Sequence, residues 1–122
     1  MAILLIVDDS KFTRNQIVKT LAEEGYEIWE AENGQRALEL IKTQKPDCII
    51  TDLLMPVMDG ATLIKRLKDE NLEIPAIVIT ADIQEDTKKM CMTLGAREVI
   101  NKPPKEGQLK KAVQNALTSK VN

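Results

Sequence analysis

The chain has 122 residues, of which 17 are basic and 19 acidic, so its formal charge is only −2. A chain of this length can fold as one domain without disulfides or structural metals, and its near balance of charge gives no basis for direct binding to nucleic acid or to a membrane surface. It contains no histidine, which excludes the commonest general base, the commonest metal ligand and a phosphohistidine on this chain.

Two further features of the sequence indicate the cellular compartment of the protein. Cys48 and Cys91 lie in apolar patterns and are too far apart for a CxxC motif, so we expect both to be buried, reduced thiols. The chain begins without the basic segment of a signal peptide, and no apolar stretch approaches the ~18 residues of a membrane span. We therefore expect a cytoplasmic protein.

Five short apolar runs alternate with stretches whose apolar residues recur at helical spacing. The predicted strands, in chain order, are Ile3–Val7, Ile28–Ala31, Cys48–Thr51, Ile74–Ile79 and a short run at Val99 and Ile100. The apolar faces of the predicted helices, in the same order, are Ile17–Ala22 before Gly25, Ala37–Ile41 after the candidate N-cap Asn33, Leu63–Leu67, Met90–Leu94 before Gly95, and Leu109–Ala116. No linker or repeat is visible, so residues 1–122 are expected to form a single domain.

Strands that alternate with helices favour a mostly parallel sheet with helices on both faces. The charge of the strands also suggests their order, because edge strands tolerate charged residues whereas central strands are apolar. Charged residues occur in Glu27–Glu30 and in Arg97–Asn101, which belong to the second and fifth strands. A doubly wound, flavodoxin-like (βα)5 sheet of the α/β class, in the order 2-1-3-4-5, satisfies this pattern.

Polar residues stand at the ends of four of these strands: Asp8 and Asp9 after the first, Asp52 after the third, Thr80 after the fourth and Lys102 after the fifth. The carboxyl ends of parallel strands lie along one edge, where open α/β sheets bind their ligands. We therefore expect three carboxylates, a hydroxyl and an ammonium to converge there.

This set of residue types suits a divalent cation and a phosphoryl group. Two carboxylates ~4 Å apart repel by ~4 kcal/mol at an effective dielectric of about 20, and a hard cation such as Mg²⁺ offsets that repulsion. A carboxylate is ionised at neutral pH and needs no general base to act as a nucleophile. Asp52 is therefore the expected acceptor of the phosphoryl group.

The residues that carry this chemistry resemble the motifs of receiver domains in two-component response regulators. In size the chain is similar to the stand-alone regulators of the chemotaxis CheY-like type. The resemblance spans almost the whole chain and rests on four segments: Asp8-Asp9-Ser10 with Arg14, Asp52-Leu53-Leu54-Met55-Pro56 with Asp59-Gly60, Thr80-Ala81, and Lys102-Pro103. It implies the same flavodoxin-like strand order that the charge pattern suggests.

The resemblance implies a role for each residue of the site. Asp52 would accept the phosphoryl group from a phosphohistidine on a sensor histidine kinase or a histidine phosphotransfer protein. Asp9, Asp52 and the backbone carbonyl of Leu54 would bind Mg²⁺, or alternatively Mn²⁺, with Asp8 acting through water.

The resemblance also implies a switch. Thr80, the backbone of Ala81 and Lys102 would contact the phosphoryl oxygens, and the bond from Lys102 to Pro103 would be cis. Thr80 would move toward the phosphoryl group, and the face made by the fourth helix, fifth strand and fifth helix would change its preference for a downstream protein. A monomer is expected, with dimerisation on phosphorylation left open.

Three features of the sequence depart from the family pattern or concern positions that vary within it. Val99 stands where family members usually carry a Tyr or Phe that turns inward on activation, so the usual coupling of threonine and aromatic cannot operate here. Pro104-Lys105 replaces the more usual aromatic and capping residues before the fifth helix. Leu54 and Asp82 occupy the two variable positions that tune hydrolysis of the phosphoryl group.

Other readings remain open at this point. A phosphatase that forms an aspartyl phosphate would place a general acid two residues after Asp52, where Leu54 stands. A nucleotide- or flavin-binding protein would need a phosphate loop after the first strand, where Asp8 and Asp9 stand. The chain could also be a receiver excised from a regulator with a DNA-binding or enzymatic output domain. The stand-alone form is preferred, because no linker-like tail follows the last helix.

Overall fold

The structure is a computed structural model, and it describes residues 1–119. The strands are β1 Ile3–Val7, β2 Glu27–Ala31, β3 Cys48–Asp52, β4 Ala76–Thr80 and β5 Glu98–Asn101. The helices are α1 Lys11–Ala22, α2 Gly34–Thr43, α3 Gly60–Asp69, α4 Glu85–Leu94 and α5 Glu106–Ser119. The last three residues of the predicted domain, 120–122, lie outside the described part of the chain.

The strands form one parallel sheet in the order β2-β1-β3-β4-β5, which confirms the predicted flavodoxin-like fold and its edge strands. The two strands with charged residues are the edges, and β3 and β4 are buried along their whole length. The register pairs Val7 with Thr51 and Asp52 with Ile79. The carboxyl ends of β1, β3 and β4 are therefore nearly level at one edge of the sheet.

Alternate side chains of the central strands enter two separate cores, as expected for a sheet covered on both faces. In β1, Leu5 and Val7 join the core under α2, α3 and α4, whereas Leu4 and Ile6 join the core under α1 and α5. All four are fully buried, and each contributes roughly 1.5–3 kcal/mol by leaving water. These cores hold the strand ends in position.

Both cysteines lie in these cores. Cys91 on α4 belongs to the first core and Cys48 on β3 to the second, and both are 0% exposed. The expectation of two buried thiols is confirmed.

Helices α1, α2 and α3 each begin with a side-chain N-cap. Ser10, Asn33 and Asp59 accept hydrogen bonds from backbone N–H groups in the first turns of α1, α2 and α3. The predicted N-cap Asn33 is thus confirmed. Gly95 ends α4 in the left-handed conformation, with a φ of 115°. These caps fix where each loop leaves the carboxyl edge.

The fourth strand begins later than the sequence predicts. It starts at Ala76 and not at Ile74, because Pro75 has no N–H to donate to a neighbouring strand. The carbonyl of Pro75 still accepts a hydrogen bond of 2.9 Å from Ile49 N. None of the helices in the described residues is long and apolar enough to cross a membrane.

Candidate functional site

The strand ends bring three acidic residues together. Asp8 follows β1, Asp9 comes next, and Asp52 is the last residue of β3. Each offers a carboxylate oxygen, and these three oxygens lie within 4.8 Å of one another. Asp8 is 2% exposed and Asp52 9% exposed, whereas Asp9 is open to solvent. The cluster is therefore buried at its base and accessible from the carboxyl edge of the sheet.

Lys102 neutralises part of this charge. It follows β5 and its ammonium donates hydrogen bonds to Oδ2 of Asp52 at 2.9 Å and to Oδ2 of Asp8 at 3.1 Å. Its backbone N–H donates to the carbonyl of Thr80 at 2.9 Å, and its peptide bond to Pro103 is cis. One side chain from an edge strand thus reaches two acidic residues of the central strands.

The carboxylate of Asp52 is held at both oxygens. Its Oδ1 accepts a hydrogen bond of 2.8 Å from the backbone N–H of Leu53, and its Oδ2 faces Lys102. The side chain of Asp52 keeps 10% of its surface exposed. It is oriented by protein donors and still reachable from outside, which is the geometry that an acceptor of an incoming group requires.

The electrostatics of the cluster follow from its burial. Burial raises the pKa of Asp8, and the charge of Asp52 adds to this, although the hydrogen bonds from Ser10 N and Lys102 oppose it. For Lys102 burial is the largest influence and lowers the pKa, but the hydrogen bonds and charges of Asp52 and Asp8 together outweigh it and raise the pKa. The ammonium therefore remains charged at neutral pH.

The donor set fits a hard divalent cation. Three carboxylates carry more negative charge than the single ammonium of Lys102 can balance, and like charges ~4 Å apart repel by ~4 kcal/mol at an effective dielectric of about 20. Carboxylate oxygens are the ligands that Mg²⁺ and Mn²⁺ prefer. An acidic cluster suited to Mg²⁺ is therefore present in the described chain.

Thr80 lies at the same edge but is held by its own loop. It ends β4, is 2% exposed, and its hydroxyl accepts a hydrogen bond of 3.1 Å from the backbone N–H of Asp82. Ala81 follows it and is exposed. Leu54, two residues after the end of β3, is 71% exposed.

Val99 lies away from this cluster, in the middle of β5. It pairs with Val78 of β4 and packs, half-buried, against the core under α2, α3 and α4. Helix α5 begins at Glu106, and the carbonyl of Lys105 accepts the hydrogen bond from Leu109 N at 2.9 Å. Pro104 thus stands before the helix and not inside it.

Three contacts that shape the site were not predicted from the sequence. Arg14 donates from Nη1 to the backbone carbonyl of Asp8 at 2.6 Å and from Nε to Glu30 at 3.1 Å. Gly60 lies so close to Asp52 that a Cβ would overlap the backbone carbonyl oxygen of that residue. The hydroxyl of Thr87 donates to Oδ2 of Asp82 at 2.8 Å. The motif includes Arg14 and Gly60, but no periodicity or spacing indicates which atoms they touch.

A parallel 2-1-3-4-5 sheet with an acidic cluster and a lysine at its carboxyl edge defines the class of the protein. The family model of the response regulator receiver domain matches residues 4–114, and this chain belongs to that family. Receiver domains of two-component systems are phosphorylated on an aspartate, and the CheY-like relatives are signalling proteins.

Individual relatives agree with this assignment. The chemotaxis protein CheY of Halobacterium salinarum is 35% identical over 117 residues, which cover 95% of this chain and 97% of that protein. The phosphate regulon transcriptional regulatory protein PhoB of Pseudomonas aeruginosa is 42% identical over 102 residues, but this chain spans only 44% of its length. The solved receiver domain of Francisella response regulator 1452 superposes with a TM-score of 0.94 at 28% identity, covering 98% of this chain and 99% of that one.

Proposed function

We propose that Asp52 accepts a phosphoryl group from a phosphohistidine on a sensor histidine kinase or a histidine phosphotransfer protein. One observation carries the proposal: the Asp52 carboxylate lies at the open edge of the sheet between two donors, Leu53 N and Lys102 Nζ, with two further carboxylates beside it. These 122 residues contain no histidine, so the phosphohistidine lies outside them.

The transfer needs few groups from the protein. A carboxylate oxygen of Asp52 forms the new P–O bond while the P–N bond of the phosphohistidine breaks, and the released imidazole nitrogen takes a proton from solvent. A carboxylate nucleophile requires no general base. The ammonium of Lys102, 2.9 Å from Asp52, is placed to stabilise the charge on the phosphoryl oxygens.

Asp8, Asp9, Asp52 and the backbone carbonyl of Leu54 would hold Mg²⁺, or Mn²⁺ in its place. When bound, the ion supplies positive charge to the phosphoryl oxygens. The convergence of three carboxylate oxygens within 4.8 Å supports this ligand set.

The response to phosphorylation would involve residues beside the acceptor. Thr80, the backbone of Ala81 and Lys102 would contact the phosphoryl oxygens, while Leu54 and Asp82 would tune the rate of its hydrolysis. The surface of α4, β5 and α5 would then bind a downstream protein. Half-buried Val99 has no ring to turn inward, so this chain requires another coupling between Thr80 and that surface.

A stand-alone switch of 1–122 is the organisation we favour, as a monomer that phosphorylation could convert to a dimer. The near-complete match to CheY of Halobacterium salinarum supports it. The match to less than half of PhoB supports the second candidate, a receiver joined to an output domain. Leu54 disfavours a phosphatase, because it places an apolar side chain where a general acid would be needed.

The test is to incubate the protein with acetyl phosphate and Mg²⁺ and to measure its intact mass. We expect the mass of one phosphoryl group to be added to the wild type, and none to Asp52→Asn or to the wild type in excess chelator. Asp69→Asn is the matched control, since Asp69 is exposed on α3 and pairs with Lys65 far from the site. A folded wild type that gains no mass, or an Asp52→Asn variant that gains it fully, contradicts the proposal.

A further inference from the structure

The loop between β4 and α4 is held by a continuous chain of hydrogen bonds that connects Thr80 to α4. The Thr80 hydroxyl accepts from Asp82 N at 3.1 Å, and the Asp82 carboxylate accepts from the Thr87 hydroxyl at 2.8 Å. The other oxygen of Asp82 accepts from Gln84 N at 3.1 Å. We call the first two bonds the Thr80–Asp82–Thr87 chain.

Asp82 takes over the capping of α4. The N-cap residue Gln84 makes no side-chain hydrogen bond to the helix, whereas Asp82 binds both the Gln84 N–H and the hydroxyl of Thr87 in the first turn. A carboxylate is favourable near a helix N-terminus, where the backbone N–H groups lack partners. The conformation of the loop therefore depends on the bond from Thr87.

The same loop fixes the Thr80 hydroxyl. Because that hydroxyl is bonded to Asp82 N, it cannot shift toward Asp52 without either breaking this bond or pulling the Asp82 backbone with it. Pulling the backbone strains the bond between Asp82 and Thr87, since the second end of that bond belongs to a helix packed on the core through Cys91. The chain thus opposes the movement of Thr80.

We propose that Thr87 is a positioning residue that stabilises the resting place of Thr80 through Asp82, and that phosphorylation of Asp52 breaks this restraint and loosens the first turn of α4. This inference rests on the proposed function, in which Thr80 turns to the phosphoryl group. It supplies a connection between the site and α4 that does not need an aromatic side chain at Val99.

Removal of the Thr87 hydroxyl favours the loop position in which Thr80 is turned toward the phosphoryl group on Asp52. The variant Thr87→Val keeps the branched shape of the side chain but replaces its hydroxyl by a methyl group, so the hydrogen bond to Asp82 is lost. Asp82 is half-buried, so water replaces part of the lost bond. A hydrogen bond of this kind shifts the equilibrium constant between the two loop positions about five- to tenfold toward the resting position.

The test is a titration of each variant with beryllium fluoride in Mg²⁺, which mimics a phosphoryl group on a carboxylate, combined with amide hydrogen exchange across α4. We expect Thr87→Val to bind the analogue about five- to tenfold more tightly than the wild type. The bonded amides at the start of α4 are those of Gln84, which donates to Asp82, and of Lys88, which donates to the carbonyl of Gln84. In Thr87→Val these two amides should exchange faster than in the wild type before any addition, whereas in the wild type they should become faster only on binding. Thr87→Ser, which keeps a hydroxyl, should restore wild-type behaviour.

Thr93→Val is the matched control, because Thr93 is exposed near the other end of α4. It should leave both readouts unchanged. Equal or weaker binding by a folded Thr87→Val, or by Thr87→Ala if the valine variant does not fold, overturns the inference. A wild type that binds no analogue and takes up no phosphoryl group instead contradicts the proposed function.

Discussion

The ammonium of Lys102 donates a hydrogen bond of 2.9 Å to Oδ2 of Asp52, although the two residues are 50 positions apart in the chain. The same ammonium reaches Oδ2 of Asp8, 94 positions away, at 3.1 Å. One cation therefore joins residues that stand at the ends of three strands. The site depends on this pairing whenever no divalent ion shares the negative charge.

Replacement of Lys102 by methionine should destabilise the metal-free protein. The carboxylates of Asp8 and Asp52 would lose their charged donor while remaining buried, and a loss of about 1–3 kcal/mol in the free energy of unfolding is expected. Because Mg²⁺ would supply the missing positive charge, the loss should shrink in its presence. Urea unfolding with and without Mg²⁺ measures both values.

Lys110→Met is the control for that prediction. Lys110 lies on α5, on the opposite side of the sheet from α3. Its ammonium donates to Glu23 at 3.1 Å and to Glu106 at 2.9 Å, and neither residue belongs to the acidic cluster. Any change in its stability should be the same with and without Mg²⁺. A Lys102→Met variant whose loss is also independent of Mg²⁺ would show that Lys102 does not balance the charge of the cluster.

Replacement of Gly60 by alanine should disturb the acceptor directly. The added Cβ would overlap the backbone carbonyl of Asp52, and the hydrogen bond from Gly60 N to Leu53 O, 2.8 Å long, holds the two segments together. We expect a loss of about 1–3 kcal/mol in the free energy of unfolding and slower uptake of the phosphoryl group from acetyl phosphate.

Gly107→Ala is the matched substitution. Gly107 lies in α5 with open space around its Cβ position, so alanine should stabilise the protein by about 0.5 kcal/mol through its higher helix propensity. Urea unfolding of the two variants side by side checks the contrast. Equal effects in both would mean that the contact between Gly60 and Asp52 is unimportant.

Arg14 should matter for metal binding although it touches no carboxylate of the cluster. Arg14 donates a hydrogen bond of 2.6 Å to the backbone carbonyl of Asp8 and a second one to Glu30. These two bonds fix the position of the loop that carries Asp8 and Asp9. Arg14→Gln should weaken Mg²⁺ binding about tenfold, as is usual for residues that orient metal ligands. Isothermal titration with Mg²⁺ measures this.

The comparison variant for Arg14 is Arg36→Gln. Arg36 forms an exposed pair with Glu39 on α2, and exposed pairs contribute little to stability. Its Mg²⁺ affinity should match that of the wild type. Unchanged affinity in a folded Arg14→Gln protein would remove Arg14 from the description of the site.

The thiol of Cys91 should be protected in the native protein. Burial raises its pKa, and the charge of Asp82 raises it further, so the reactive thiolate is scarcer at neutral pH than in an ordinary cysteine and increases only as the pH rises above the usual range. We expect reaction with a thiol reagent to be slow in buffer and rapid in urea. In Thr93→Cys, by contrast, the exposed thiol on the same helix should react rapidly under native conditions. Rapid native labelling of Cys91 would mean that α4 opens far more often than its packing indicates.

Much of the fold follows from the order of apolar runs. The alternation of strand and helix patterns predicted the parallel sheet, and the charges near Glu27 and Glu98 predicted which strands lie at its edges; both predictions are confirmed. The N-cap at Asn33 is predictable because a capping residue just before an apolar helical face is a local signal, and the structure confirms it. The start of β4 was predicted two residues early, since apolarity alone does not reveal that Pro75 cannot donate a ladder bond.

The order of residues is enough to identify those that follow the strands, because strand length and side-chain polarity are encoded in consecutive positions. Asp8, Asp9, Asp52, Thr80 and Lys102 could therefore be assigned to one edge of the sheet. The atoms that meet there are visible only in the folded chain: Lys102 bonds to two carboxylates, Arg14 donates to the Asp8 carbonyl, and Thr87 donates to Asp82. These contacts depend on the distances between loops that follow different strands. The packing of the whole domain sets those distances, and no local sequence pattern encodes them.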